Sequence, residues 1–258
     1  QFFLRNFFTF LLDMNFADLH KETTMGLDDI PAFLALCVAY GIYRLFVTYA
    51  ILAKIAKGLN LKDKNVEFKF IHRCFDLIHY FFSCITGALA IYGRPYHHCY
   101  YFALHCGEFM VQQAEPKDAI VLSYMEKVYY FIFTAYYVVD AFFIWTNNHD
   151  VALLYIHHAT SLTLIFLSVY IRAGVIGITV LLLHDLVDLP LYFGKIMTYT
   201  GHKQLQDIAL VIFAIACTWF RMINFPMVIY HSGKNAFATV PDHKYFYYFE
   251  LSILFVLM

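Results

Sequence analysis

Five residues of this chain have types and spacing that suit proton and group transfer. His157 and His158 lie in one apolar segment, and His184, Asp185 and Asp188 lie in the next. Ionisable side chains inside apolar spans are costly, and they mark functional sites by default. An imidazole near neutrality can serve as general base or as nucleophile, and a carboxylate can orient the ring and stabilise the imidazolium that forms. The two segments read as helices folded back on each other at Arg172-Ala173-Gly174. His158 lies fifteen residues before Ala173 and Asp188 fifteen after it. In an antiparallel pair both would sit at one level, about 22 Å from the bend. This predicts His158–Asp188 as base and orienter, with His157 and Asp185 positioning the reacting groups. Asp185 and Asp188 are spaced i,i+3, and His184 and Asp188 i,i+4, so each pair can share a helix face. His184, Tyr192 and Lys195 continue the polar stripe on the second helix, and Ser161, Ser168 and Arg172 continue it on the first. Of these, His184, Ser161, Tyr192, Lys195 and Arg172 are candidates for substrate binding. Pro190 frees the carbonyl of Leu186, between the two carboxylates.

The elements that must position these residues are membrane spans. The chain of 258 residues is 61% hydrophobic, 20% aromatic and 14% charged, with a mean hydropathy of 0.60. A soluble domain of this size could not hide so much apolar surface, so an all-α membrane protein of about seven spans is expected. The net charge of −1, without a basic arm or an aromatic–basic platform, argues against nucleic acid as partner. None of the six cysteines falls in a CxxC or zinc-like spacing. No metal and no cofactor is required by the residues present. Cys99 and Cys106 share a loop and are placed to bridge if that loop faces an oxidising lumen.

In chain order, residues 1–30 form an N-terminal segment whose FFLRNFFTFLL run suits an interfacial helix or the tail of a further segment. Asp28-Asp29-Ile30-Pro31 is a helix start. A first span over about 32–53 carries Arg44 as its one charge. A basic loop over 54–73 holds six of the eighteen Lys and Arg. By the positive-inside rule that loop is cytosolic, and it could draw in the phosphates of an anionic cofactor. Spans follow over about 72–92, 122–145 (with Glu126 and Asp140 near its ends), the hairpin 150–199, and 207–230 (with Arg221). A loop over 231–243 leads to a seventh span from Lys244. His97 and His98, in the loop after span two, are candidate metal ligands whose simpler reading is solvated loop histidines. Residues 31–68 thus hold the first span and the basic loop, and 69–258 hold the rest of one membrane domain. The reactive level falls in its cytosolic half.

The run from Asp150 to Arg221 resembles the Lag1 motif of the TLC-domain family, and most closely the ceramide synthases. The resemblance rests on D…IHHxxT (Asp150, His157, His158, Thr160), YIRAG (Tyr170 to Gly174), LHDxxD (Leu183, His184, Asp185, Asp188), Lys195, Tyr199-x-Gly201 and Arg221. It implies a six-helix TLC-type bundle or barrel around a long lipid cavity, in the endoplasmic reticulum membrane, with the site toward the cytosol. It also implies acyl transfer from fatty acyl-CoA, as co-substrate, to the amine of a sphingoid base. The family's two His and two Asp fall on His157, His158, Asp185 and Asp188, and its acyl-preference loop falls within 231–243. Membrane lipid is a further partner, and a homodimer or an accessory membrane subunit is compatible with the pattern. Four places depart from it. Asn147-Asn148-His149-Asp150 replaces a basic run, Val187 a serine, Tyr192 a glutamate, and His72 with Phe75-Asp76 a glutamate and Trp-Arg. The HxxHH box of di-iron desaturases and of elongases is missing, because Leu154 stands at its first histidine. The remaining alternative is a non-catalytic TLC-domain protein that binds lipid or serves as a subunit of a larger membrane assembly.

Overall fold

The computed structural model describes residues 20–61, 63–100, 120–147, 151–170 and 174–239. The proposed interfacial segment, Arg172, Cys106 and the seventh span from Lys244 lie outside them. The first rod starts where Asp28-Asp29 and Pro31 predict. Asp29 accepts a hydrogen bond from the Gly26 N–H (3.0 Å), and α1 (Ile30–Leu45) follows. The rod continues through a π-helical stretch, Phe46–Leu52, into α2 (Ala53–Gly58). The expected basic loop is mostly helix. Lys54 and Lys57 end the first rod, and Asp63 caps α3 (Lys64–Ile91) by accepting from Val66 N–H at 2.7 Å. Lys64, Lys69 and Arg73 therefore project from a helix.

α4 (Tyr124–Asn147), α5 (Val151–Tyr170) and α6 (Gly174–Thr200) follow. The last rod comprises α7 (Lys203–Ala216), a second π-helical stretch (Cys217–Asn224) and α8 (Phe225–Thr239). Residues 231–239 of the expected last loop are thus helical. Among the described residues, four helices are long and apolar enough to cross a membrane: Leu27–Gly58, Lys64–Ile91, Gly174–Thr200 and Lys203–His231. α4 and α5 are 24 and 20 residues long, and Tyr155–Val169 of α5 is a further, shorter apolar stretch among the described residues. Outward-facing stripes at helical spacing, Leu34, Val38, Ile42 and Tyr49 on the first rod and Ile208, Ile212, Ile215 and Trp219 on the last, are exposed. Apolar stripes of this extent suit lipid rather than water.

The helices are joined by one short β-ribbon. Strands β1 (Glu22–Met25) and β2 (Ile120–Ser123) pair antiparallel, Glu22 opposite Ser123 and Met25 opposite Ile120. Four residues each, they carry too short a period-2 signal to stand out in the sequence. Their ribbon leads directly into α4. Ser123 and Glu126 form a capping box, in which the Ser123 hydroxyl accepts from the Glu126 N–H and the Glu126 carboxylate accepts from the Ser123 N–H. The Glu126 carboxylate is fully buried and also receives Arg94 Nε (3.0 Å) and the Tyr96 hydroxyl. Burial opposes the Arg94 charge, but Glu126 and Tyr96 more than offset it and hold its pKa above the ordinary value. His97 Nδ1 lies 3.0 Å from the Arg94 carbonyl. Cys99 is disulfide-bonded, and Cys37, Cys74, Cys84 and Cys217 are free thiols.

Inside the bundle α3 lies along α6 and α4, and α4 lies along α5 and α1. Gly87 allows a close approach of α3 to α6 and α4, because a Cβ there would meet Leu182 Cδ1 at 2.6 Å and the Tyr129 ring at 3.0 Å. Large rings fill the core: Tyr129, Tyr130, Phe133 and Tyr136 of α4 and Phe75 of α3 are buried almost completely. Replacing Glu126 by alanine removes the cap and leaves Arg94 unpaired. We expect about 2–4 kcal/mol of destabilisation, tempered by the partial exposure of Arg94. This would be measured as a lowered Tm of the detergent-solubilised protein, with Arg94→Met/Glu126→Gln recovering part of the loss.

Candidate functional site

A single cavity of about 450 Å³ takes its lining from α1, α3, α4, α5, α6 and the last rod. That volume lies in the range of sites for lipid- or drug-sized ligands. His157, His158, Ser161, His184, Asp188, Tyr192 and Arg221 all contribute to its wall. The two segments identified from sequence therefore do converge.

Their pairing differs from the level-matching expectation. His158 Nε2 lies 2.7 Å from Asp140 Oδ2 of α4, so Asp140 and not Asp188 is its carboxylate partner. The other Asp140 oxygen is ion-paired with Arg44 of α1. The Arg44 guanidinium stacks over the Phe75 and Phe143 rings, at 5.0 and 4.5 Å from their centroids. Asp188 pairs instead with Arg221 Nη2 at 2.6 Å, and the same nitrogen donates to the His184 carbonyl at 3.0 Å. Counting residues from the bend fixes height along the hairpin but not the rotation of either helix. Rotation turns His158 toward α4 and Asp188 toward the last rod.

The two adjacent histidines are consequently unlike. Successive helix residues point about 100° apart. His158 is 5% exposed and fixed to Asp140, whereas His157 is exposed toward the cavity. His184 places Nδ1 2.7 Å from the Val180 carbonyl. In the neutral ring that makes Nδ1 the donor and leaves Nε2 with the lone pair.

Asp185 does not reach the cavity. It is 1% exposed, facing the opposite side of α6, where Ser83 of α3 and Tyr129 of α4 (2.9 Å) both donate to its Oδ2. It ties three helices together behind the site, a position that corrects its expected role beside the reacting groups. Lys195 also stands off the cavity wall, with Nζ 5.0 Å from the centroid of Tyr192. The face of Tyr192 is also met by Arg73, at 5.4 Å, and Tyr80 stacks on it at 5.2 Å. Tyr192, which departs from the family's acidic residue, is thus an aromatic surface met by two cations.

Several charged wall residues were not picked as site residues from sequence, among them Arg44, Arg73, Asp76, Asp140 and Arg221. Asp76, one of the departures, receives Arg73 Nη1 at 2.9 Å and the Tyr136 hydroxyl at 3.2 Å. Each carboxylate on the cavity wall therefore has its own arginine: Asp76 with Arg73, Asp140 with Arg44, Asp188 with Arg221. The signal that could have found two of these pairs was present. Arg44, Asp140 and Arg221 are isolated charges in apolar spans, and each needs a partner of opposite sign on a neighbour. Among the described residues no cluster of His, Cys, Asp or Glu has metal-site geometry.

Because Asp188 and Arg221 are desolvated together, losing one strands the other. Arg221→Met should cost about 3–5 kcal/mol, seen as a lower Tm in detergent. Asp188→Asn in the same chain should recover most of it. Additive losses in the double variant would show that the pair does not act as one unit.

The comparisons agree with this geometry at the level of family. The TLC domain family matches residues 69–258. The chain is 26% identical over 214 residues to ceramide synthase LOH1 of Arabidopsis thaliana, an alignment covering 78% of this chain and 68% of that one. It is 31% identical over 119 residues to human ceramide synthase 1, covering 42% of this chain and 34% of the relative. It is 36% identical over 98 residues to Alternaria stem canker resistance protein 1 of Solanum lycopersicum, covering 38% of this chain and 32% of the relative. The chain thus spans about a third of the length of the last two relatives. With the family matched over 69–258, this helical, multi-pass chain belongs to the TLC domain family.

Proposed function

We propose that the protein is an acyl-CoA-dependent N-acyltransferase of the ceramide synthase type, transferring a fatty acyl group to the amine of a long-chain base. The observation that carries the reading is one cavity that combines an accessible imidazole, a second imidazole anchored on a carboxylate, and an apolar interior. The family membership and the names of the similar proteins support the same class.

In this reading His157 takes the proton as the amine nitrogen attacks the thioester carbonyl. The new C–N bond forms, the C–S bond breaks, and the proton passes to the departing CoA thiolate. His158, held by Asp140, is a positioning residue that fixes the local electrostatics of the pair. Arg221 supports the developing oxyanion. It lines the cavity, and its Nε–H has no acceptor among the described residues. Asp188 keeps that guanidinium oriented, and Asp185 supports α6 from behind. Asn65, Lys69 and Arg73 line the α3 end of the cavity, suiting the phosphates of CoA, and Ser161, His184 and Tyr192 complete the substrate contacts. The reading carries with it a six-helix bundle around the cavity and about seven spans in the full membrane domain. It also carries an endoplasmic reticulum location with the site open to the cytosol.

A second reading, lipid binding without turnover, is favoured by Asp185 lying outside the cavity and by Val187 and Tyr192 at positions where relatives carry other residues. Purified protein incubated with acyl-CoA and sphinganine separates the two. Turnover should yield N-acyl product and equimolar free CoA. His157→Ala should lower kcat by about 10²–10⁴-fold with unchanged thermal stability. Lys69→Ala should raise KM for acyl-CoA more than it lowers kcat, with an effect that shrinks in high salt. Co-purifying lipid with no CoA release from the wild type would favour the second reading.

A further inference from the structure

The cavity ends abruptly, and its end is built from residues outside the reactive cluster. On α4 the lining runs from Asp140 and Phe143 outward to Tyr130. On α5 it runs from His157 and His158 to Ser168, and on α6 from Asp188 to Gly177 and Ile176. The next residues outward, Tyr129 on α4 and Val175 on α6, are packed into the core and do not line this cavity. Between the two ends the wall is apolar, with Phe133, Leu164, Ile165, Val180 and Leu181. From Asp140 to Tyr130 and from His158 to Ser168 is ten residues of helix, a depth of about 15 Å.

A polar knot closes that end. The Tyr130 hydroxyl donates to the Gly174 carbonyl at 3.0 Å and lies 3.2 Å from Ser168 Oγ. Ser168 in turn donates to the Ile165 carbonyl at 2.8 Å. Gly177 makes the knot possible. A Cβ at that position would collide with the Tyr130 hydroxyl and would meet Ser168 Oγ at 2.9 Å. The tyrosine hydroxyl is thus held by its hydrogen bond to the Gly174 carbonyl and by close contact with Ser168 Oγ, and an aliphatic chain has nothing to gain by displacing it. Breaking the knot would leave buried polar groups without partners.

We infer that Tyr130, seated against Gly177 and Ser168, is the floor of an acyl channel, and that its position sets the longest chain the protein accepts. The inference rests on the acyltransferase reading for the identity of the chain, while the depth of the channel can be measured without turnover. Tyr130 and Ser168 are specificity-determining residues distant from the reacting atoms, so altering them should change length preference and leave the chemistry alone. Tyr130→Leu shortens the floor residue and deepens the channel. Ser168→Leu fills it from the side and makes it shallower.

The test uses a series of saturated fatty acids from about 10 to about 20 carbons, which brackets a channel of about 15 Å. Binding to the purified full chain is measured by displacement of a fluorescent fatty acid. The matching acyl-CoAs are assayed in parallel for N-acyl product. Wild type should show a sharp fall in affinity beyond one length. Tyr130→Leu should move that cut-off to longer chains, and Ser168→Leu should move it to shorter ones. Tyr130→Phe, which keeps the ring and loses the hydroxyl, should leave the cut-off within one step of wild type. Should Tyr130→Leu fail to fold, the shift in Ser168→Leu decides alone. A cut-off that stays in place in both variants, or affinity that does not depend on length in wild type, overturns the inference. Binding cut-offs that shift as stated without N-acyl product in any sample would instead uphold the floor and count against the acyltransferase reading.

Discussion

A charge buried among apolar helices must meet its counter-charge there, and this constraint organises the bundle. Removing a carboxylate from water costs several kcal/mol even after relaxation, and a well-placed guanidinium recovers it only with good geometry. The three carboxylates on the cavity wall each meet an arginine within hydrogen-bonding reach. Two of these pairs cross between helices, Arg44 of α1 with Asp140 of α4 and Arg221 of the last rod with Asp188 of α6. They fix the rotation of each helix about its axis as well as its neighbours. Apolar packing against lipid-like surroundings could not do this by itself, because the hydrophobic effect is non-directional.

The same pairs lie beside the two π-helical stretches. Arg44 lies two residues before Phe46–Leu52, and Arg221 falls inside Cys217–Asn224. A π-helical turn adds a residue and shifts the face that follows it, and such turns gather at functional sites. Here the shift lets the last rod present Arg221 to both Asp188 and the His184 carbonyl. It also lets the exposed stripe of α7 remain turned outward. Asp185, three residues from Asp188, uses hydroxyl donors on the far side of α6. The HDxxD segment therefore holds one carboxylate for the cavity and one for the scaffold.

The polar groups are graded along the cavity. Lys69, Arg73 and His72 line its α3 end, the paired charges and imidazoles come next, then apolar walls, and last the Tyr130 knot. The cavity thus runs from cationic through paired charges to apolar along its length. At the opposite end of the molecule the β1–β2 ribbon, the Glu126 cluster and the disulfide-bonded Cys99 sit where the chain leaves α3 and enters α4. Ordinary soluble-protein chemistry, a capping box and a buried ion pair, operates there.

Much of this was legible in the residues. Four of the expected span positions followed from runs of apolar side chains, and the start of α1 from Asp28-Asp29 and Pro31. Two segments that line the cavity followed from ionisable residues where ionisable residues are expensive, and the family from HHxxT and LHDxxD. Those signals are local, carried by side chains a few positions apart. Spacing along one hairpin gave the height of His158 and Asp188 correctly enough to bring both to one cavity. It could not give partners, because a helix 100° further round meets a different neighbour. Tertiary packing decided that His158 faces Asp140, that Asp188 faces Arg221, and that Asp185 turns away. It alone placed Tyr130 across the channel end, since that contact depends on an absent side chain at Gly177, forty-seven residues distant in sequence. Composition determines that the chain must live in lipid. Which charges neutralise one another, and how deep the apolar channel runs, depends on how neighbouring helices are rotated, and no single helix encodes that.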